Sequence, residues 1–181
     1  MNIIGISGSL RQASFNSLLL KAAAEVAKNQ GAVFEIFDLS ELPLYNSDLD
    51  GDVKPAAVSR LLAAITQADG IFFATPEYNY SIPGVLKNAI DWASRPAYQS
   101  VLAGKPSGIV SASMSPLGGA RAQVHLRDVL AGTLTPVLLS PDYLLPLAQQ
   151  AFDSSGVLCD SKAQERLSRY VASYIAWASQ H

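Results

Sequence analysis

The stretch NIIGISGSLRQASFNSLLLKAAAEVAK, residues 2–28, changes character twice. Residues 2–7 are short, rich in isoleucine and end in glycine and serine, which reads as a buried strand running into a loop. From Asn16 to about Lys28, Leu18, Leu19, Ala22, Ala23 and Val26 recur at helical spacing, and Gly31 stops the helix. Between the two lies a loop crowded with hydroxyls around a single arginine. Strand, polar loop, helix is the opening unit of an alternating α/β chain, so the fold turns on whether that unit repeats.

It repeats along the whole chain. Residues 32–38 (AVFEIFD) alternate well enough for a second strand, and 39–54 form a polar loop with proline and glycine. A helix from about Pro55 to Ala68 follows, with proline tolerated in its first turn. Residues 70–75 (GIFFAT) are a third strand, 83–94 a helix, 105–112 a fourth strand, and a further helix runs through about Leu130. A fifth strand is expected near 135–140 (TPVLLS), then an irregular segment and a closing helix from about Asp160 to Ala178. Such alternation predicts a parallel sheet with helices on both faces. Five strands suit a flavodoxin-like three-layer sandwich of order 2-1-3-4-5, which binds ligands beyond the carboxyl ends of the strands.

Composition narrows the function classes. The 181 residues suit one domain, 1–181, and 49% hydrophobic against 15% charged residues suits elements buried on more than one side. A net charge of -2 without a Lys/Arg run lacks the footprint of a nucleic-acid binder. Cys159 is the only cysteine, so there is neither a disulfide framework nor a thiolate zinc site, and a reducing compartment fits. The strand-like start and the lack of a long apolar run point to a cytoplasmic protein away from membranes.

Three loops should meet at the carboxyl ends of strands one, three and four. The first offers Ser9, Arg11, Ser14, Asn16 and Ser17 at a helix N-terminus, where unpaired N–H groups favour an anion. The triphosphate pattern GxxxxGK[ST] and the dinucleotide pattern GxGxxG are both missing, so a terminal monophosphate, as on a mononucleotide, is the expected guest. Ser14 or Asn16 as a plain helix cap is the alternative. The second loop, in PEYNYSIPGVLKNAIDW at 76–92, places tyrosines and Asn79 where they can pack on a flat ring and reach its polar edge. Beyond it Leu86, Ile90 and Trp92 read as core, and Lys87 with Asp91 as a solvated pair. The third loop carries Ser113 at a strand end and Gly118 and Gly119 at a helix start, where glycine lets a ring or another chain approach.

GSLRQASFN at 8–16, PEYNYSIPGVLKNAIDW at 76–92 and SMSPLGGARAQVHLR at 113–127 resemble the motifs of the NADPH-dependent FMN reductase family, including its quinone and chromate reductase members. The resemblance runs from residue 2 to about 145. It implies noncovalent FMN, with Ser9, Arg11, Ser14, Phe15 and Asn16 around the phosphate and ribityl chain. Pro76, Glu77, Tyr78, Asn79 and Tyr80 would line the isoalloxazine ring, and Ser113 would meet its far edge. It also implies dimers or tetramers, with Arg121 at an interface and paired with Asp142 across subunits. In such an enzyme NADPH or NADH delivers a hydride to flavin N5 and a quinone or similar acceptor collects it in ping-pong order, with the chemistry carried by FMN. A flavodoxin-like electron carrier is the competing expectation, although carriers steered by charge should be more acidic than -2. Hydrolysis has little support, because His125 and His181 are the only histidines and no GxSxG elbow is present.

Overall fold

The computed structural model describes residues 1–181. Ten principal elements alternate: β1 (Asn2–Ser7), α1 (Phe15–Asn29), β2 (Val33–Phe37), α2 (Ala56–Gln67), β3 (Gly70–Ala74), α3 (Gly84–Ala93), β4 (Ser107–Ala112), α4 (Ala120–Gly132), β5 (Tyr143–Leu145) and α5 (Ser161–Ala178). Their strands pair in parallel in the order β2-β1-β3-β4-β5. This is the flavodoxin-like topology expected of the chain.

Alternation along each strand explains the three layers. In β3, Phe72 points into a core with α1 and α5, while Ile71 and Phe73 enter a second core with α2, α3 and α4. In β1, Ile3 joins the first core and Ile4 and Ile6 join the second. A central strand buried on both faces has no polar side to show, hence its unbroken apolar run. Leu86, Ile90 and Trp92 are buried as the helical spacing predicts, and Lys87 meets Asp91 at 2.6 Å on the surface.

The fifth strand is displaced from its expected place. Val137 makes one isolated parallel bridge to Ser107, with Ser107 N–H donating to Pro136 O (2.8 Å) and Leu138 N–H to Ser107 O (2.9 Å). The chain then swings out, leaving Leu139 92% exposed, and the regular ladder resumes only at Tyr143–Leu145 against Val110–Ala112. The next rung would have Ile109 N–H donate to Leu138 O, but Ile109 N–H goes to Tyr170 Oη (2.9 Å) and Leu138 O accepts from the Arg127 guanidinium (3.2 Å), so TPVLLS makes no ladder however apolar it is.

The carboxyl-terminal third supplies much of the first core through Leu167, Tyr170, Val171 and Tyr174 of α5. Buried tyrosine hydroxyls need partners. Tyr170 Oη accepts from Ile109 N–H (2.9 Å), Tyr143 donates to Ala163 O (3.1 Å), and Tyr174 lies within reach of the Ile71 and Pro106 carbonyls. The segment before α5 folds on α1: Phe152 stacks on Phe15 with centroids 5.8 Å apart. Asp153 fastens that segment by accepting from Ser155 and from Val157 N–H, and these bonds hold its carboxyl below the usual range.

Candidate active site at the carboxyl edge of the sheet

A chain of hydrogen bonds ties the carboxyl ends of the strands into one rim. Gly8 N–H donates to Ala74 O (2.8 Å), Thr75 N–H to Val110 O (3.0 Å) and Ser113 N–H to Leu145 O (3.0 Å). The three loops chosen from the sequence therefore stand side by side. Gly8 allows this closeness, since a Cβ there would lie 3.3 Å from Leu86, Pro76 and Pro83.

The first loop ends on a helix with no cap. Ser14 is the N-cap residue by position, yet its side chain makes no capping bond. The amides of Phe15, Asn16 and Ser17 donate to no backbone acceptor in the chain. By contrast Asp160 caps α5 by accepting from Ala163 N–H at 2.9 Å. Leaving the first turn of α1 open creates a concentration of donors and positive dipole at one point. Ser9 and Ser14 line it as buried residues, Ser7 and Ser17 share a hydrogen bond at 2.9 Å, and Arg11 is exposed with its guanidinium 5.8 Å from the Phe15 ring centroid.

Asn16 is placed differently from the expectation. Its amide turns inward, donating from Nδ2 to Ala112 O and accepting at Oδ1 from Ala112 N–H, each at 2.9 Å. It replaces a missing ladder partner at the end of β4, so what it offers an anion is its backbone N–H. Phe15 likewise faces Phe152 and Arg11.

The second loop is a tight hairpin. Tyr78 and Ser81 exchange backbone bonds of 2.9 and 3.0 Å, and Asn79 and Tyr80 between them have φ of 50° and 70°. Two positive φ values in a two-residue turn define the type I′ geometry, which asparagine tolerates and tyrosine rarely adopts. Helix α4 holds the strained turn from one side. Glu77 accepts from Arg121 N–H (3.1 Å) and from its guanidinium (3.3 Å), Arg121 lies over the Tyr80 ring, and His125 Nδ1 meets Ser81 Oγ at 3.0 Å. Glu77 thus caps α4, while Tyr78 and Tyr80 stand 50% and 64% exposed on the rim, Tyr80 with Arg121 over its ring.

The third loop is bonded to the chain beyond β5. Ser113 Oγ accepts from Ser115 N–H (3.1 Å), and Ser113 O accepts from Ala148 N–H (3.0 Å). Gly119, with φ of 88°, packs on β4 itself: a Cβ would lie 2.9 Å from Ser111 Oγ. Arg121 and Asp142, expected to pair across subunits, have other partners within the chain, since Asp142 meets Arg127 at 2.6 Å.

Sequence reasoning missed Gln123, which is fully buried and donates from Nε2 to Ser111 Oγ (2.8 Å) and Tyr143 O (2.9 Å), fixing α4 to the two strands behind the rim. Its signal was a polar residue three and seven positions before Leu126 and Leu130 on the apolar stripe of α4. The Phe152 contact carried no local signal, because it depends on the path of an irregular segment.

The NADPH-dependent FMN reductase family model matches residues 1–150. An NAD(P)H-dependent FMN reductase from Pseudomonas aeruginosa is 45% identical over 177 residues, covering 98% of this chain and 95% of the relative. A quinone reductase from Escherichia coli K12 is 37% identical over 176 residues, 96% of this chain and 93% of the relative. Among solved structures, the flavoenzyme NAD(P)H:(acceptor) oxidoreductase FerB from Paracoccus denitrificans superposes with a TM-score of 0.91 at 34% identity, covering 99% of this chain and 98% of its own. A flavodoxin from Pseudomonas aeruginosa, at 15% identity and a TM-score of 0.64, shares the fold. The likeness extends past residue 145 into the closing helix. With its fold, its motifs and its relatives in agreement, the chain belongs to the NADPH-dependent FMN reductase family of FMN- and NAD(P)H-using oxidoreductases.

Proposed function

We propose that the protein is an FMN-bound reductase of quinones and similar small acceptors, supplied with electrons by NADPH or NADH. The observation that carries this reading is the uncapped start of α1 beside Arg11. Open amides, serine hydroxyls and one guanidinium suit a terminal phosphate, to which each hydrogen bond from a charged donor adds about 1.5–3 kcal/mol. The donor set therefore fits FMN: Ser9, Arg11, Ser14 and the amides of Phe15 and Asn16 would hold its phosphate. Pro76, Tyr78, Asn79 and Tyr80 would bound the ring with Glu77 bracing them, and Ser113 would meet the far edge. When bound, FMN would supply the two-electron chemistry between the nicotinamide and the acceptor, with the two substrates in ping-pong order.

The chain's own residues bind and orient. Arg121 and His125 fix the tyrosine hairpin, so the ring's neighbours are in place before any substrate arrives. Quinones are the proposed main acceptors, with chromate, azo compounds and free flavin as lesser ones. No helix is long and apolar enough to cross a membrane; we assign a cytoplasmic location and a homodimer or homotetramer with Arg121 and Asp142 at an interface. The experiment is anaerobic mixing of the FMN-loaded protein with NADPH or NADH, followed by steady-state kinetics against a panel of quinones, azo dyes, free flavin and chromate. Prompt bleaching of the flavin and parallel double-reciprocal lines support the reading; a flavin that stays oxidised identifies an electron carrier instead.

A further inference from the structure

At the carboxyl end of β5 a cleft of about 340 Å³ opens between the segment that follows the strand and the first turns of α5. Leu147 and Gln150 form one wall; Lys162 and Arg166, four residues apart on one side of α5, form the other. The cleft adjoins the rim directly, because Leu147 N–H donates to Ser115 O (3.4 Å) and Ala148 N–H to Ser113 O (3.0 Å).

Its two cations have no carboxylate partner. Seven ion pairs form in the chain, and none uses Lys162 or Arg166. Arg166 is nevertheless held in place: it donates to Leu144 O at 2.9 Å, interacts with the Tyr143 hydroxyl and lies 5.1 Å from the Tyr143 ring centroid, and a guanidinium with five N–H donors has others left for an anion. One carboxylate lines the cleft, Asp160, and it accepts from Ala163 N–H as the cap of α5. Two positive charges thus face one negative charge in a place that a ligand lying along the rim would reach. Of the rim's other cations, Arg121 is bound to Glu77 and Arg11 is assigned to the FMN phosphate.

We propose that this cleft is the subsite for the 2′-phosphate of NADPH, with Lys162 and Arg166 as its ligands. The inference rests on the reading of the rim as an NAD(P)H-dependent reductase site. A 2′-phosphate suits a planar guanidinium fork together with a mobile ammonium, whereas NADH presents only a hydroxyl there and draws no benefit from either charge.

The test uses the FMN-loaded protein and the variants Lys162→Ala, Arg166→Gln and Arg166→Lys. Turnover is measured with both nicotinamides, and binding of adenosine 2′,5′-bisphosphate and adenosine 5′-monophosphate by calorimetry. Lys162→Ala and Arg166→Gln should each lower kcat/KM for NADPH about tenfold or more and leave the NADH value unchanged. Bisphosphate affinity should fall in parallel, monophosphate affinity should hold, and Arg166→Lys should recover part of the NADPH loss. Equal losses with both nicotinamides, or no loss with NADPH, overturn the subsite. Should neither nicotinamide reduce the wild-type flavin, the reductase reading fails, and bisphosphate binding that is insensitive to the substitutions would sink the subsite on its own.

Discussion

The guanidinium carbon of Arg121 lies 4.0 Å from the centroid of the Tyr80 ring, and Tyr80 holds a φ of 70°. A tyrosine in the left-handed region costs roughly 1–3 kcal/mol, and such a turn persists only where its surroundings over-determine it. A cation over an exposed ring returns about 0.5–1 kcal/mol, and the bonds from Arg121 to Glu77 add to that. Arg121→Ala should therefore loosen the hairpin, and hydrogen exchange at the Tyr78 and Ser81 amides should accelerate about fivefold for each 1 kcal/mol of clamp lost. Undisturbed protection at both amides would mean that the turn supports itself.

Arg11 makes no ion pair, and its guanidinium lies 5.8 Å from the centroid of the Phe15 ring. Arg11→Ala should leave the melting temperature of the FMN-free protein nearly unchanged while weakening FMN binding about tenfold or more, the worth of one charge-assisted contact. Fluorescence titration with FMN measures the second quantity. Full retention of cofactor would remove Arg11 from the phosphate site.

Asn16 links α1 to the end of β4 by two hydrogen bonds in a buried setting. Asn16→Ala removes both and leaves Ala112 N–H and C=O without that partner, a loss of about 2–4 kcal/mol at 1–2 kcal/mol per bond. Asn16→Asp should be nearly as damaging, since a carboxylate can accept from Ala112 N–H but cannot donate to its carbonyl. Urea denaturation of the FMN-free variants gives the comparison; a cost well under 1 kcal/mol would contradict the clamp.

Burial pushes the Tyr143 and Tyr170 hydroxyls up to about 12, and Tyr174 further in the same direction. In the unfolded chain a tyrosine ionises near pH ~10, so above that pH the native state holds more protons than the unfolded one. The stabilisation is complete below pH ~10 and is lost as pH rises toward 12, at about 1.4 kcal/mol per pH unit for each tyrosine. Unfolding free energies at closely spaced alkaline pH values should bend downward in this window, and Tyr143→Phe should make the bend shallower. A curve of the same slope in that variant would rule Tyr143 out as a contributor.

Where the sequence states its pattern locally, the reading and the structure coincide. Phe72 and its neighbours in β3 declare a doubly covered strand by being apolar without interruption, and Leu86 and Ile90 declare the inner face of α3 by spacing alone. TPVLLS misled because hydrophobicity says nothing of which partners the backbone finds: Ile109 N–H is taken by Tyr170 and Leu138 O by Arg127, both outside the stretch itself. At the site, residue types showed which loops converge, but not where each side chain goes. Asn16 could as well have reached for a ligand as for Ala112, and Glu77 for a ring as for the start of α4; contacts across 96 and 44 residues settle both. Lys162 and Arg166 look like ordinary surface charges until β5 and the segment after it are placed beside them.

The open first turn of α1 has a consequence for how the protein survives as well as for what it binds. A helix that begins without a cap forgoes about 0.5–2 kcal/mol that a good capping side chain would contribute, and a phosphate bound there, as proposed for FMN, would supply the missing acceptor. On that proposal FMN would act as the last piece of the fold, and resistance to unfolding would rise with RT ln(1 + [FMN]/Kd). Cells short of riboflavin-derived cofactor would hold this chain in a softer form, more open to proteolysis, so its abundance would follow flavin supply without any change in its expression.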